Sequence, residues 1–174
     1  LAIQIYRREN AMSSNNYQKE PLRLHVGGTQ VKPGWKIFNI LPGEGVDYLG
    51  DCCDLSLFPD NSVAEIYASH VLEHLGYDKA LPQALAEFNR VLQPKGVVRI
   101  SVPNLDMLCR LFVAPDLPAE LITEAGEHIG THFHIMRMMF GGRTTDYDIH
   151  YAGLPYEFLS SSLGQAGIIN AQKV

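Results

Sequence analysis

The 174 residues are enough for one domain of ordinary size that buries its own core. With 46% hydrophobic and 19% charged residues, the composition is that of a globular protein and excludes a disordered chain. The net charge of -5 with scattered Lys and Arg predicts no nucleic-acid partner, and no apolar run approaches the roughly 20 residues that span a bilayer, so no membrane partner is predicted.

The cysteines and the first residues indicate a cytoplasmic protein. Cys52, Cys53 and Cys109 are three in number, so they do not form a complete disulfide framework, and no C-x-x-C zinc motif is present. The first 20 residues lack the apolar core of a signal peptide. We expect a flexible arm over residues 1–20, followed by a single domain over residues 21–174.

Short apolar runs closed by turn residues predict the strands of the first half. The first run, Leu22–Val26, stops at two glycines. Further strands are predicted at Trp35–Leu41, Val46–Leu49 and Val63–Ser69. Only about seven residues separate the first two, so we expect a single helical turn there, or an arch without a helix.

Helices alternate with strands in the second half. Asp78 is the predicted cap of a helix that runs to Leu92, and Asn104 caps another. Residues 115–145 are interpreted as a helical insertion, with a helix from Ala119 to about Ile129. The remaining predicted elements are a strand at Val97–Val102, a helix at Tyr156–Ala166 and a strand at Ile168–Val174. This alternation predicts an α/β domain with a doubly wound, mostly parallel sheet.

Three ordered stretches carry a family resemblance: LHVGGT, GDCCDLSLFPDNSVAEIYASHVLEHL and LAEFNRVLQPKGVVRISVPNLDML. Together they resemble the class I S-adenosylmethionine-dependent methyltransferases, and most closely their short branch with SHVLEH and RVLxPxG motifs. The resemblance implies the Rossmann-like fold of that family, with S-adenosylmethionine as cofactor. The family's sheet ends in an antiparallel seventh strand for which no residues remain, so the sheet is expected to be truncated or completed by a partner.

The resemblance also implies the cofactor site. In the family, a glycine turn follows the first strand, an acidic residue ends the second strand and binds the ribose, and an acidic residue after the third strand contacts the adenine. The cofactor-binding positions carried over are Gly27, Gly28, Thr29, Asn39, Asp51, Cys52 and His70.

Two of these positions depart from the family pattern. Thr29 replaces a motif glycine, and Asn39 replaces the ribose-binding carboxylate. Loss of that charge is expected to weaken cofactor binding by about 1–2 kcal/mol. The alternative to an enzyme is therefore a non-catalytic binding or scaffold protein on a degenerate methyltransferase fold.

Histidines are the candidate catalytic residues, because a histidine has a pKa suited to a general base near neutral pH. His70 is the first choice and His150 the second. His70, Glu73 and His74 have a spacing that also fits a metal hydrolase, but no further ligand is recognisable and no metal site is predicted. His128, His132 and His134 are interpreted as a polar patch.

The methyl acceptor is not readable from the residues. The resemblance implies a small molecule, with a saccharide as one option. An exposed sheet edge favours pairing between chains, so a homodimer through that edge is a further expectation.

Overall fold

The computed structural model describes residues 2–6 and 21–173. These residues form nine strands, four α-helices and one 3-10 helical turn at Leu72–His74, in the turn after β5. The strands are β1 (Ala2–Tyr6), β2 (Leu22–Val26), β3 (Lys36–Asn39), β4 (Val46–Leu49), β5 (Val63–Ser69), β6 (Leu92–Ser101), β7 (Glu120–Ile122), β8 (His128–Gly130) and β9 (Gln172–Lys173). The helices are α1 (Ala80–Val91), α2 (Leu105–Phe112), α3 (Thr131–Phe140) and α4 (Tyr156–Gln165). None of the helices in these residues is long and apolar enough to cross a membrane.

Seven strands form the main sheet, in the order β4-β3-β2-β5-β6-β1-β9. The first five strands of this order, β4, β3, β2, β5 and β6, are parallel to one another. The order runs outward in both directions from the β2–β5 pair, which is the reversal point of a doubly wound sheet. The predicted Rossmann-like α/β fold is confirmed.

The far edge of the sheet differs from the expectation of a truncated sheet. Strand β1 pairs antiparallel with β6, with Tyr6 opposite Val97, and β9 pairs antiparallel with β1. The family's sheet has an antiparallel strand that was expected to be missing here. Strand β1, from the N-terminal part of the chain, takes that antiparallel place beside β6. The expected last strand, Ile168–Val174, is reduced to Gln172–Lys173. Within the arm that was predicted over residues 1–20, Ala2–Tyr6 form strand β1. Residues 7–20 lie outside the described residues, so the arm stays a prediction there.

Helix α1 contributes the apolar face that its periodicity predicts. Leu81, Leu85 and Phe88 are fully buried in one cluster with the central strands and α4. The predicted cap at Asp78 is wrong, since Lys79 is the N-cap and makes no side-chain capping bond. The helix ends one residue before the predicted end, at Val91, because the backbone turns extended at Leu92 to begin β6.

The insertion is a hairpin followed by a helix. The helix predicted over Ala119–Ile129 is wrong, because β7 and β8 pair there in antiparallel register. A turn closes the hairpin, with Gly126 at φ +80° donating its N–H to the Thr123 carbonyl. Gly is the residue that adopts this left-handed conformation without steric cost. The cap of helix α2 at Asn104, by contrast, is confirmed, since its side chain accepts from the Met107 N–H.

An arginine on α1 fixes the loop that follows β4. The Arg90 guanidinium donates to the Leu55 carbonyl at 2.9 Å and the Phe58 carbonyl at 3.0 Å. It also pairs with Glu87 at 2.7 Å and with Asp60 at 2.8 Å. Because Glu87 in turn accepts from the Leu55 N–H at 2.8 Å, the loop and the helix share one hydrogen-bond network.

We expect Arg90→Gln to destabilise the domain by about 2 kcal/mol, because two loop carbonyls lose a charged donor and Glu87 loses its partner. For a domain of this size, that corresponds to a fall in Tm of roughly 4–8 °C. Thermal unfolding followed by circular dichroism measures it. The exposed Arg110 provides the matched control, since Arg110→Gln should change stability by less than about 0.5 kcal/mol. Equal effects of the two substitutions would contradict the assigned network.

Candidate functional site

A cleft of about 710 Å³ opens at the carboxyl ends of the parallel strands. Its walls come from the residues that directly follow β2, β3, β4 and β5, and from the loop over residues 145–148. This is where open α/β sheets bind their ligands. The volume falls within the range of roughly 300–1,000 Å³ of small-molecule and cofactor sites.

Gly27 begins the turn after β2 and lines the cleft. Its φ is +72°, and a Cβ atom there would lie 2.3 Å from Cγ2 of Val71. Its N–H donates to the Phe38 carbonyl at 2.8 Å, which holds the turn against β3. The position therefore requires glycine for both conformation and space. The nine residues from Gly27 to Trp35 form no helix, which confirms the arch between the first two parallel strands.

Gly28 and Thr29, in contrast, are not among the residues that line the cleft. Gly28 is buried against the ring of His25, where an added Cβ would lie 2.5 Å from Nδ1. Thr29 is exposed. Of these three consecutive residues, only Gly27 lines the cleft.

Asn39 lies at the end of β3 and lines the cleft, but its side chain also supports the glycine turn. Its Nδ2 donates to the Gly28 carbonyl at 3.0 Å, and its Oδ1 accepts from the Leu41 N–H at 3.0 Å. Sequence reasoning missed this contact, because it joins residues 11 positions apart. One N–H and one lone pair of the amide remain for a ligand.

We expect Asn39→Asp to destabilise the domain by about 1–2 kcal/mol, because a carboxylate cannot donate to the Gly28 carbonyl and would repel it. The fall in Tm should be roughly 2–8 °C. Asn39→Ala is the matched variant that removes both hydrogen bonds without adding charge. A Tm for Asn39→Asp equal to that of the unsubstituted chain would contradict the assigned role in the turn.

Asp51, Cys52 and Cys53 form the wall after β4. Asp51 is exposed, and its Oδ1 accepts from the Cys53 N–H at 2.8 Å. Cys52 is buried, and a hydrogen bond with Cys53 together with this burial raises the pKa of its thiol far above the usual value. The Cys53 thiol donates to the Ala80 carbonyl at 3.4 Å. Cys52 thus contributes a neutral thiol to this wall, and Asp51 contributes a carboxylate.

His70 directly follows β5 and lines the cleft on the side of β5, across from Gly27 after β2. Its φ is +54°, which is uncommon for a residue with a side chain, and its N–H donates to the Ser101 carbonyl at 2.8 Å. The ring is 61% exposed, and its Nδ1 lies 3.2 Å from Oε1 of Glu73. The cleft therefore has a solvent-accessible imidazole that pairs with a carboxylate behind it.

Glu73 is the most unusual side chain of the site, because it is only 2% exposed. Burial raises its pKa to about 7. Its Oε2 has no hydrogen-bond partner among the described residues. The backbone carbonyl of Glu73 accepts from the N–H groups of Tyr151 and Ala152 at 2.8 and 3.2 Å, so this residue ties the turn after β5 to the distant loop.

The ring of His150 packs against the ring of His74, which lines the cleft. Their rings lie edge to face, with centroids 4.8 Å apart. His74 lines the cleft, whereas His150 does not, although it was predicted as a second catalytic histidine. Burial, and then the neighbouring His74, lower the pKa of His150. No local sequence signal indicated this contact, since the two residues are 76 positions apart in the chain.

The rim of the cleft is a loop organised by Asp148. Its carboxylate accepts from the Thr144 hydroxyl at 2.7 Å, from the Thr144 N–H at 3.1 Å and from the Gly142 N–H at 3.2 Å. The Thr144 hydroxyl bond is the main cause that lowers the pKa of Asp148. The loop presents Asp146 and Tyr147 to the cleft.

We expect Asp148→Asn to lower stability at pH 7 by about 1–2 kcal/mol, because charged acceptors make the stronger hydrogen bonds. The lowered pKa means that the carboxylate stabilises the fold above its unfolded-state pKa of about 3.9, and that this is lost as the pH falls through the folded-state value. Urea unfolding at pH 7 and near pH 3 measures both ends. Asp146→Asn, in the same loop, is the control. A difference between variant and parent that stays constant over this range would contradict the assignment.

The histidines of the insertion lie apart from the cleft. His128, His132 and His134 are absent from its walls. His128 is exposed and pairs with Glu120 at 3.2 Å across the hairpin, while His132 packs edge-on against Phe112. Their interpretation as a polar patch stays a prediction.

Residues 35–100 match the family model described as a methyltransferase domain. The matched segment includes Asn39, Asp51, His70, Glu73 and His74, and it implies S-adenosylmethionine as the cofactor. No curated protein matches the chain by sequence.

Solved structures share the fold at low sequence identity. One is the complex of the Haloferax volcanii Trm112 methyltransferase activator with a chain described as a methyltransferase: TM-score 0.50, 14% identity, covering 86% of this chain and 62% of that one. An S-adenosylmethionine-dependent methyltransferase from Mesorhizobium loti has a TM-score of 0.44 and 17% identity, covering 85% of this chain and 74% of that one. The CurJ carbon methyltransferase has a TM-score of 0.47 and 16% identity, covering 87% of this chain.

This chain spans 43% of the CurJ chain. At these sequence identities, the solved structures indicate the fold of this chain and do not indicate its substrate. The strand order, the matched segment and the fold shared with the Haloferax volcanii complex confirm the resemblance to the class I S-adenosylmethionine-dependent methyltransferase superfamily.

Proposed function

We propose that this chain is an S-adenosylmethionine-dependent methyltransferase that binds its cofactor in the cleft at the strand ends and transfers a methyl group to a small-molecule acceptor. The observation that carries the proposal is the convergence of Gly27, Asn39, Asp51 and His70 on one cleft. These four residues come from four separate strand ends, and three of them lie in the matched methyltransferase segment.

The residues of the cleft fit the cofactor chemically. Ile40 and Leu41 are 37% and 40% exposed and line the cleft, which provides apolar surface for an adenine ring. Asp51 offers a carboxylate and Asn39 the remaining capacity of its amide to the hydroxyl and amino groups of the nucleoside. Gly27 keeps its side of the cleft free of a side chain.

S-adenosylmethionine, when bound, supplies a methyl group on a positively charged sulfur. The protein's own contribution is to orient the acceptor, exclude water and receive the acceptor's proton. His70 is the proposed base. With Nδ1–H donated to Oε1 of Glu73, the lone pair on Nε2 would receive the proton of an acceptor hydroxyl or amine. The acceptor's electron pair would form the new bond to the methyl carbon, while the electron pair of the broken carbon–sulfur bond stays on the sulfur. The exposed position of the ring at the cleft supports this role.

Cofactor binding is testable without knowing the acceptor. S-adenosylhomocysteine at about 100 times its Kd should stabilise the domain by roughly 2.7 kcal/mol, a rise in Tm of roughly 5–10 °C. Asp51→Asn keeps an oxygen for the Cys53 N–H but removes the charge, so it should reduce the shift. Asp116→Asn, an exposed carboxylate outside the cleft, should leave the shift unchanged.

Absence of a shift at millimolar ligand would overturn the enzyme proposal. That outcome would favour the second candidate, a non-catalytic binding protein on this fold, for which the use of Asn39 in supporting the glycine turn is the favouring observation.

The role of His70 needs a transfer assay. Tritium transferred from labelled S-adenosylmethionine to a panel of saccharides and small hydroxyl or amine compounds measures it. His70→Gln should lower transfer at least 100-fold, the lower range of general base catalysis, while the S-adenosylhomocysteine shift remains. Retained transfer in this variant would assign the acceptor's proton to another group or to solvent.

A cytoplasmic location and a homodimer through a sheet edge are also proposed. The free state of Cys52, Cys53 and Cys109 supports a reducing compartment. The edge strand β4 has an unpaired side in the described sheet, which supports pairing between copies.

A further inference from the structure

At the wall of the cleft, one carboxylate and two imidazoles converge from distant parts of the chain. One carboxylate oxygen of Glu73 and one ring nitrogen each of His74 and His150 lie within 4.8 Å of one another. Glu73 and His74 belong to the turn after β5, whereas His150 belongs to the loop after α3. We propose that these three side chains bind a divalent transition-metal ion, with Zn²⁺ the ion that best fits them.

The first support is the state of Glu73. Its side chain is 2% exposed, yet Oε2 has no hydrogen-bond partner within residues 2–6 and 21–173. Oε1 is the oxygen paired with His70, so Oε2 is the one that remains available. A buried polar atom without a partner costs free energy unless something binds it. A cation held by Oε2 would remove that cost.

The second support is the orientation of the two histidines. Nδ1 of His74 lies 3.1 Å from the Ile149 carbonyl, and Nδ1 of His150 lies 3.1 Å from the Met138 carbonyl. Because a carbonyl only accepts hydrogen bonds, each Nδ1 carries the hydrogen, and each Nε2 has a free lone pair. Metal-binding histidines are held in this way, with the non-ligating nitrogen donating to a carbonyl or carboxylate.

The donor set selects the metal. Two imidazole nitrogens and one carboxylate oxygen suit Zn²⁺ and related transition metals better than Mg²⁺ or Ca²⁺, which prefer oxygen ligands. Zn–N and Zn–O bonds of about 2.0–2.2 Å require the three ligand atoms to be roughly 3.4 Å apart. The side chains must therefore close by up to about 1.4 Å, and a fourth position stays open for water.

A second group of possible ligands fits a metal less well. Asp51, Cys52 and Cys53 also lie close together. Oδ1 of Asp51 already accepts from the Cys53 N–H, and the Cys53 thiol donates to the Ala80 carbonyl. The Cys52 thiol is buried and held protonated, whereas metals bind thiolates. This group therefore serves as the internal rival in the experiment.

A bound metal ion would connect the loop at the rim of the cleft to the turn that follows β5. His150 follows the segment that contributes Asp146, Tyr147 and Asp148 to the cleft wall, and the ion would join it to the turn that ends β5. The site does not depend on whether the cleft binds S-adenosylmethionine, so its test uses metal alone.

The experiment starts from the full chain stripped with a chelator. Competition with a chromophoric Zn²⁺ indicator should give one tight site per chain. Glu73→Gln and His150→Ala should each weaken it at least ten-fold, while Cys53→Ser and His132→Ala should not. Zn²⁺ at about 100 times its Kd should raise Tm by roughly 5–10 °C in the parent and not in His150→Ala.

Spectroscopy with Co²⁺ in place of Zn²⁺ identifies the ligands. Visible bands without thiolate charge-transfer absorption support the site, and charge-transfer bands that vanish in Cys53→Ser overturn it. Equal Zn²⁺ affinity of the parent and His150→Ala, or binding only at millimolar Zn²⁺, would also overturn it. If Glu73→Gln fails to fold by circular dichroism, the comparison of His150→Ala with His132→Ala decides.

Discussion

The parallel pairing of β2 with β5 is the constraint on which the site depends. Val26 lies opposite Ala68 in this register, so the chain leaves both strands at the same edge of the sheet. Gly27 follows one strand and His70 the other, both in left-handed conformations that turn the backbone across the strand ends. A one-residue slip would turn the buried Leu24, Val26, Ile66 and Ala68 away from the core, so burial of these side chains fixes the register. The apolar core thereby sets the distance between the two sides of the cleft.

Periodicity and turn residues predicted the elements that bury one regular face. Strands β2, β4 and β5 have the predicted bounds, and α1 buries the predicted side chains, because alternation and the 3.6-residue repeat report burial directly. The segment over residues 119–129 was mistaken for a helix because a short hairpin of partly exposed residues has no such repeat. The pairing of β1 with β6 was not predictable, since it joins residues more than 90 positions apart.

The candidate site divides in the same way. The resemblance predicted Gly27, Asp51 and His70 as cofactor-binding positions, and all three line the cleft because the ends of parallel strands meet at one edge of the sheet. The use of Asn39 by the Gly28 carbonyl and the contact of His74 with His150 depend on loop conformation. No pattern in the sequence encodes which amide a given carbonyl will meet. For a residue predicted from a family resemblance, the place in the fold is therefore easier to predict than the contacts that its side chain makes.

Glu73 shows how one residue connects the two halves of the site. Its carbonyl accepts hydrogen bonds from the backbone of the loop, and its Oε1 pairs with the cleft-facing His70. Its Oε2 has no hydrogen-bond donor in the part of the chain that the structure describes. Replacing this carboxylate with an apolar group would remove the cost of burying it, so its value cannot lie in stability alone. One oxygen of this carboxylate lies beside the ring of His70, and a carboxylate oxygen of Glu73 lies within 4.8 Å of a ring nitrogen of His74 and of His150. Any ligand that binds Oε2 of Glu73 would also hold in place the hydrogen-bond partner of His70. Such a ligand would couple the group of Glu73, His74 and His150 to the geometry of the cleft.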